Sequence, residues 1–214
     1  MAKSKTKKKT SLMLIISAVL LIAVSVMSLC MMSLPMSKSV TSTTILGSTT
    51  TVNNETANAF DYIKEWTEKD EDGNSKLSAL KETIKKYEEG SIKNETLDKV
   101  NEANKQQVAI VECLIVVIVA AAVAMVLGLV ALILAFVKKN GAGKVFGLLA
   151  LLCVLAIFIL SCIVYAFYNP VATALDGTIA GVTTTTTVVS AMALLIVSLI
   201  GFVASTVTLV LSRK

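Results

Sequence analysis

Residues 145–168 read VFGLLALLCVLAIFILSCIVYAFY and contain no charged side chain. Crossing about 30 Å of hydrocarbon takes about 20 helical residues, so this stretch is long enough to span a membrane. Its apolar residues follow one another without the period-2 alternation of a barrel strand, which favours a helix. The stretch therefore predicts a transmembrane helix.

Three further runs have the same character and cover residues 11–34, 108–137 and 188–211, with Glu112 as the single charge in any of them. The chain is 55% apolar and only 16% charged, which is too apolar for an ordinary soluble domain. The sequence predicts an all-α membrane protein with four transmembrane helices and a helical outer segment between the first and second spans.

Basic residues are concentrated in three segments of the chain, namely 1–10, 138–144 and 212–214. With four spans these segments lie on one side, and the positive-inside rule makes that side the cytoplasm. The segments 35–107 and 169–187 then lie outside the cell membrane. The basic residues are Lys3, Lys5, Lys7, Lys8, Lys9, Lys138, Lys139, Lys144, Arg213 and Lys214.

The net charge of +5 is a consequence of this topology. Residues 36–107 carry 10 Lys against 13 Asp and Glu, so the outer segment is acidic on balance. A nucleic-acid partner would instead need a basic surface on an exposed domain. We therefore expect the lipid bilayer as a partner and no nucleic acid.

The first run, 11–34, follows a basic start, as a signal peptide does. Its apolar stretch exceeds the usual length of about 7–15 residues, and no Ala-x-Ala cleavage site follows. We expect it to remain as a membrane anchor. Cleavage, the alternative, would leave three spans and an outer N-terminus.

Residues 36–58 are rich in Ser and Thr, a composition typical of a flexible or extended linker. From Ala59 onward, apolar residues recur at helical spacing in three stretches. The spacing predicts a helical hairpin whose third helix runs into the second span. A core this small needs a further surface, such as segment 169–187, a second copy or a partner protein. The apolar residues are Phe60, Ile63, Trp66, Leu77, Leu80, Ile84, Tyr87, Leu97 and Val100.

Asp70, Asp72 and Asn74 occupy the first, third and fifth places of a turn that resembles an EF-hand calcium loop. Ser75 stands where the turn glycine belongs, and Lys81 stands where the bidentate glutamate belongs. The residues are candidate calcium ligands, and an ordinary acidic turn between two helices is the alternative. No other cofactor is expected.

Asn54 and Asn94 each begin an Asn-Glu-Thr triplet in the outer segment and are candidate N-glycosylation acceptors. Cys30, Cys113 and Cys162 lie near the outer ends of their spans at similar depth. A disulfide among these three is one hypothesis, and ordinary buried thiols are the other.

Small residues mark candidate contacts between the spans, because they let helices approach closely in lipid. Such contacts join helices within one bundle or between two copies, and both alternatives stay open. The candidate positions are Ala120, Ala124, Gly128, Gly143, Gly147, Gly201 and Ser205.

The chain has no histidine, and no nucleophile–base pair or phosphate-binding loop can be assembled from its sequence, so we do not expect an enzyme. We expect a structural or interaction protein that displays its outer segment for self-assembly or for another membrane or surface protein. An accessory subunit of a transport or secretion complex is the first alternative, and a membrane sensor module is the second.

The layout of short cytoplasmic ends with a large first and a smaller second outer segment is similar to that of claudins and other four-span junction proteins. The motif of a tryptophan with paired cysteines that marks the claudin outer loop is missing here, because residues 35–107 contain no cysteine. The resemblance therefore implies a topology and neither a fold nor a barrier function.

Overall fold

The computed structural model describes residues 2–45, 48–90, 94–174, 176–179 and 182–212. Within these residues the helices and strands follow one another in a fixed order. They are α1 (Ala2–Met32), β1 (Ser37–Ile45), β2 (Ser48–Glu55), α2 (Ala59–Thr67), α3 (Lys76–Glu89), α4 (Glu95–Phe136), α5 (Asn140–Ala172), β3 (Gly177–Ile179), β4 (Val182–Val188) and α6 (Ser190–Leu211).

Four helices, α1, α4, α5 and α6, are long and apolar enough to cross a membrane. The prediction of four membrane-spanning helices is confirmed at this level. Helix α4 begins at Glu95, well before the apolar run that predicted it, and α5 continues past Tyr168 with Pro170 inside its last turns.

The segment between the first two spans is not wholly helical, so the prediction of a helical outer segment is wrong. Residues of the predicted linker 36–58 form β1 and β2, and segment 169–187 contributes β3 and β4. The four strands make one antiparallel sheet in the order β2-β1-β4-β3. These strands are rich in Thr and Val, whose branching at Cβ favours extended backbone over helix. For this reason the Ser- and Thr-rich residues that were predicted to be a linker form strands.

Helices α2 and α3 and the first turns of α4 cover the stretches with helical spacing. Each of these three helices begins after a polar capping residue whose side chain accepts a hydrogen bond from a backbone N–H of the first turn. Asn58 accepts from the Asp61 N–H at 2.9 Å, Ser75 forms a capping box with Ser78, and Asn94 accepts from the Leu97 N–H at 2.9 Å.

The chain divides into two compact units. The bundle unit comprises Met1–Met31, Val116–Cys162 and Met192–Lys214. The sheet unit comprises Met32–Ile115 and Ile163–Ala191.

Each span of the bundle unit buries one side of its helix. In α6 the buried positions recur every three or four residues, as a helix with one inward face requires. They are Leu194, Ser198, Gly201, Ser205 and Leu209. The opposite side exposes large apolar residues such as Ile200 and Val203, a surface suited to lipid and unfavourable in water.

Candidate functional site

The sheet is the most distinctive feature of the sheet unit, because it joins two segments that are far apart in the chain. Strand β1 pairs with β2 on one side and with β4 on the other. Lys38 of β1 forms an ion pair of 2.6 Å with Glu55 of β2, and Thr41 Oγ1 lies 3.4 Å from Thr184 Oγ1 of β4. The sheet is thus built from both predicted outer segments together.

One end of the sheet is fixed by a cluster of hydrogen bonds around buried Ser37. The Ser37 N–H donates to Thr56 Oγ1 at 2.8 Å, and the Thr56 N–H donates to the Ser37 carbonyl at 3.0 Å. Ser37 Oγ also lies 3.4 Å from the Tyr168 hydroxyl of α5. The Val189 N–H donates to the Met36 carbonyl at 3.0 Å, so the end of β4 is held as well.

The two edges of the sheet differ. Edge strand β2 has eight residues, and the side chains from Thr49 to Glu55 are exposed. Edge strand β3 has only three residues, and the Asp176 carboxylate beside it accepts from the Thr186 N–H at 3.0 Å. The β3 edge is therefore short and partly capped by a carboxylate, whereas the β2 edge is long.

An aromatic cluster connects α2 with α4 and α5. Tyr62 packs edge-on against Tyr168 with ring centroids 6.4 Å apart and lies 6.3 Å from Trp66, and its hydroxyl accepts from the Gln107 side chain. Burial raises the pKa of Tyr62, and the Gln107 hydrogen bond opposes this shift only partly. Half-buried Trp66 thus belongs to a packed cluster of the sheet unit.

Helix α3 is tied to α4 by polar contacts. Lys81 Nζ lies 2.6 Å from Glu112 Oε1, and Lys105 Nζ lies 2.6 Å from Glu88 Oε1. The Tyr87 hydroxyl donates to Asp98 Oδ1 at 2.5 Å, and this hydrogen bond raises the pKa of Tyr87. Between the helices lies an open groove of about 260 Å³, with Ile84 and Val108 among its lining residues.

The candidate calcium ligands lie in the exposed turn between α2 and α3. Asp70 Oδ1 accepts from the Asn74 N–H at 2.8 Å, and the Asn74 carbonyl accepts from the Asp70 N–H at 2.8 Å. Gly73 adopts φ +79°, a conformation that favours glycine. Asp72 lies in the same turn, and the described residues contain no group of His, Cys, Asp and Glu side chains able to hold a metal ion. The turn is closed by its own hydrogen bonds.

The two candidate glycosylation sites lie in different settings. Asn54 is exposed on β2, but its triplet ends in Thr56, whose hydroxyl donates to the Ser37 carbonyl at 3.2 Å. Asn94 caps α4 through its side-chain oxygen. Both side chains are exposed at the surface of the sheet unit.

No disulfide joins the four cysteines, all of which lie in the described part of the chain. Cys30 is exposed on α1, whereas Cys113, Cys153 and Cys162 are half-buried. The proposed bridge among Cys30, Cys113 and Cys162 is thus not formed in this structure.

The small residues of the spans lie inside the bundle unit. A Cβ atom added to Gly201 would lie 2.2 Å from Val24 Cγ2, and one added to Gly128 would lie 2.9 Å from Ile22 Cγ1. Both contacts are made with α1. Gly143, Gly147, Ala124 and Ser205 are also buried, and Ala120 is half-buried. The contacts of Gly128 and Gly201 with α1 are therefore contacts within the bundle unit.

Comparison of the chain with known protein families, with curated proteins and with solved structures found no match.

Sequence reasoning missed the residues of β2, which it placed in a linker. The signal was present in Val182–Val188, which reads VTTTTTV, and in the similar stretches of β1 and β2. Runs of Thr and Val are typical of strands. Composition alone does not identify which strands pair, because the residues of β4 that pair with β1 lie 139 to 151 positions further along the chain.

Proposed function

We propose that this chain is a structural component of the cell membrane that displays a small sheet for assembly with further copies of itself. The observation that carries the proposal is the register of β1 with β4, which unites both outer segments into one exposed platform. A platform tied at one end by buried Ser37 holds its edges in a defined geometry, as a binding surface requires.

The polar character of the sheet supports assembly in preference to catalysis. Its exposed side chains are mostly Thr, Ser and Asn, which offer hydrogen bonds and no acid–base pair. Two of its charged side chains, Lys38 and Glu55, form an ion pair with each other. We therefore do not assign an enzymatic activity.

The same proposal places both chain termini in the cytoplasm and the sheet outside. Support comes from the lysines of segments 1–10 and 138–144, which share one side of a four-span chain. A membrane-impermeant thiol reagent would test this on intact cells. T185C on the sheet should be labelled directly, whereas K139C should be labelled only after permeabilisation; the opposite pattern would overturn the orientation.

Extraction in mild detergent tests the assembly itself. Light scattering and mass spectrometry of the same chromatographic peak give the mass and the composition of the complex. We expect a whole multiple of the 22.7 kDa chain with no other protein. A monodisperse single chain would overturn the proposal.

An accessory subunit of a larger membrane complex is the second candidate function. It is favoured by Leu97 and Val100, which lie one turn apart on α4 and are 38% and 52% exposed although both are apolar. A partner that covered both side chains would remove their apolar surface from water. In this case the extracted peak would contain a second protein, and L97S/V100S would release it, whereas the nearby polar change K99S would not.

A further inference from the structure

Strand β2 presents a long edge to its surroundings. Its eight residues pair one-for-one with β1, so the strand has no bulge, and no described strand pairs with its other side. The central residues Thr50 to Asn54 read TTVNN and are exposed. A strand edge carries unpaired backbone N–H and C=O groups that are able to pair with another strand.

Proteins usually protect such edges with lysine, proline, a bulge or a very short strand. Residues 48–54 contain neither lysine nor proline, and their register with β1 is regular. The opposite edge is protected, because β3 has only three residues and Asp176 caps the Thr186 N–H. The sheet is thus protected on one side and open on the other.

We propose that β2 pairs antiparallel with β2 of a second copy of this chain, around a two-fold axis near Thr51 and Val52. The inference rests on the proposed function and names the surface through which the chain assembles. The two sheets would then form one continuous sheet of eight strands.

The charge of β2 favours this partner and this direction. Glu55 is the single charged residue of the strand and lies at its end. Antiparallel pairing around the strand centre places the two Glu55 side chains at opposite ends of the pair. Parallel pairing in register would set them directly opposite one another, which is destabilising for like charges. The Thr, Val and Asn side chains in between introduce no repulsion.

Single cysteines at Thr50, Thr51, Val52 and Asn53 test the pairing under mild oxidation, in detergent and in liposomes. Antiparallel pairing places one residue opposite itself, or two neighbouring residues opposite each other. We therefore expect disulfide-linked dimers from one variant alone, or from a mixture of two neighbouring variants. The yield of dimers should fall steeply for variants further from the two-fold axis. Wild-type protein reports the background of the native cysteines, and T185C on inner strand β4 is the matched control.

Absence of cross-links at all four positions would overturn the inference. Equal cross-linking at every position would indicate parallel pairing and would overturn the antiparallel arrangement. T51K and V52K give an independent measurement, because lysine on an edge opposes strand addition. We expect self-association to weaken about tenfold, which corresponds to about 1.4 kcal/mol, with no change in T185K.

The two proposals fail in different ways. If the wild-type chain forms oligomers that T51K and V52K leave intact and that no β2 cysteine cross-links, the pairing is wrong and self-assembly stands. If the wild-type chain is a single chain in detergent and in liposomes, both proposals are wrong. Circular dichroism of T51K and V52K controls for loss of the fold.

Discussion

Thr41 Oγ1 of β1 lies 3.4 Å from Thr184 Oγ1 of β4, so hydroxyl groups from two distant parts of the chain face each other across the sheet. Thr41 and Thr184 are paired in the strand register, and their neighbours Val40 and Thr185 pair in the same way. Directly opposed side chains are the unit that stabilises a sheet. The register of these two strands therefore unites the segments on either side of α4 and α5.

Gly201 should tolerate no side chain. A Cβ atom there would lie 2.2 Å from Val24 Cγ2, inside any allowed contact, so G201A forces α1 and α6 apart. Overpacking of this kind costs about 1–3 kcal/mol. We expect G201A to lower the thermal unfolding midpoint of the detergent-solubilised protein.

Gly141 provides the matched control for this change. It lies in the first turn of α5, and an added Cβ would have no atom within 4 Å apart from its chain neighbours and its own helix backbone, so G141A should leave the midpoint unchanged or raise it slightly. V24A removes the two methyl carbons that collide most closely, Cγ2 and Cγ1, and leaves Val24 Cβ at 2.9 Å, so G201A should cost less in a V24A background. Equal loss from G141A and G201A would contradict the packing.

The ion pair between Lys81 and Glu112 should determine how firmly α3 lies on α4. The two charged atoms are 2.6 Å apart, and both side chains are about half exposed, which limits the pair to about 1 kcal/mol or less. K81E places two acids together and should speed hydrogen exchange in α3 at low salt. The swap K81E/E112K restores opposite charges and should restore protection; faster exchange in the swap than in K81E would contradict the contact.

The hydrogen bond between Tyr87 and Asp98 should make the stability of the protein depend on pH in the alkaline range. The hydrogen bond to the Asp98 carboxylate raises the pKa of Tyr87 above its ordinary value of 10.0. Because the folded pKa is raised, the stabilisation is fully present below pH 10.0 and is lost as the pH rises through the raised pKa. Tyrosinate absorbance of wild type minus Y87F isolates this group.

In D98N the carboxylate charge is gone, and the pKa of Tyr87 should fall back toward 10.0. D72N, an acid in the α2–α3 turn, is the control and should leave the titration unchanged. A Tyr87 titration that is the same in D98N and in wild type would show that the hydrogen bond is absent.

The membrane-spanning helices could be predicted because their signal is local. A run such as 188–211 contains no charge and no period-2 alternation, and an apolar segment of this kind satisfies its backbone hydrogen bonds in lipid by forming a helix. The helices after Ala59 were also visible, because apolar spacing is a property of one short stretch. The same local reasoning identified Gly201 as a packing position but did not indicate Val24 as its neighbour.

The sheet could not be predicted in the same way. Ser and Thr are common in linkers and Thr is also common in strands, so whether such a segment becomes a strand depends on whether another strand pairs with it. Strand β4, which pairs with β1, contains the threonine run 183–187, and the composition of that run does not indicate a partner. The candidate calcium turn illustrates the same limit. The spacing of its acidic residues is visible in the sequence, but the hydrogen bond from the Asn74 N–H to the Asp70 carboxylate is not.

A disulfide between paired residues of β1 and β4 is the most direct test of the central claim, that both predicted outer segments form one sheet. T41C/T184C replaces two directly paired residues whose hydroxyls lie 3.4 Å apart, and paired residues of an antiparallel ladder lie within the Cα separation that a disulfide bridges. We predict an intramolecular bond, identified by mass spectrometry of the linked peptides. T41C/T185C, shifted by one residue, points its thiols to opposite faces and should not link. Linkage in T41C/T185C and not in T41C/T184C, or in neither, would contradict the sheet.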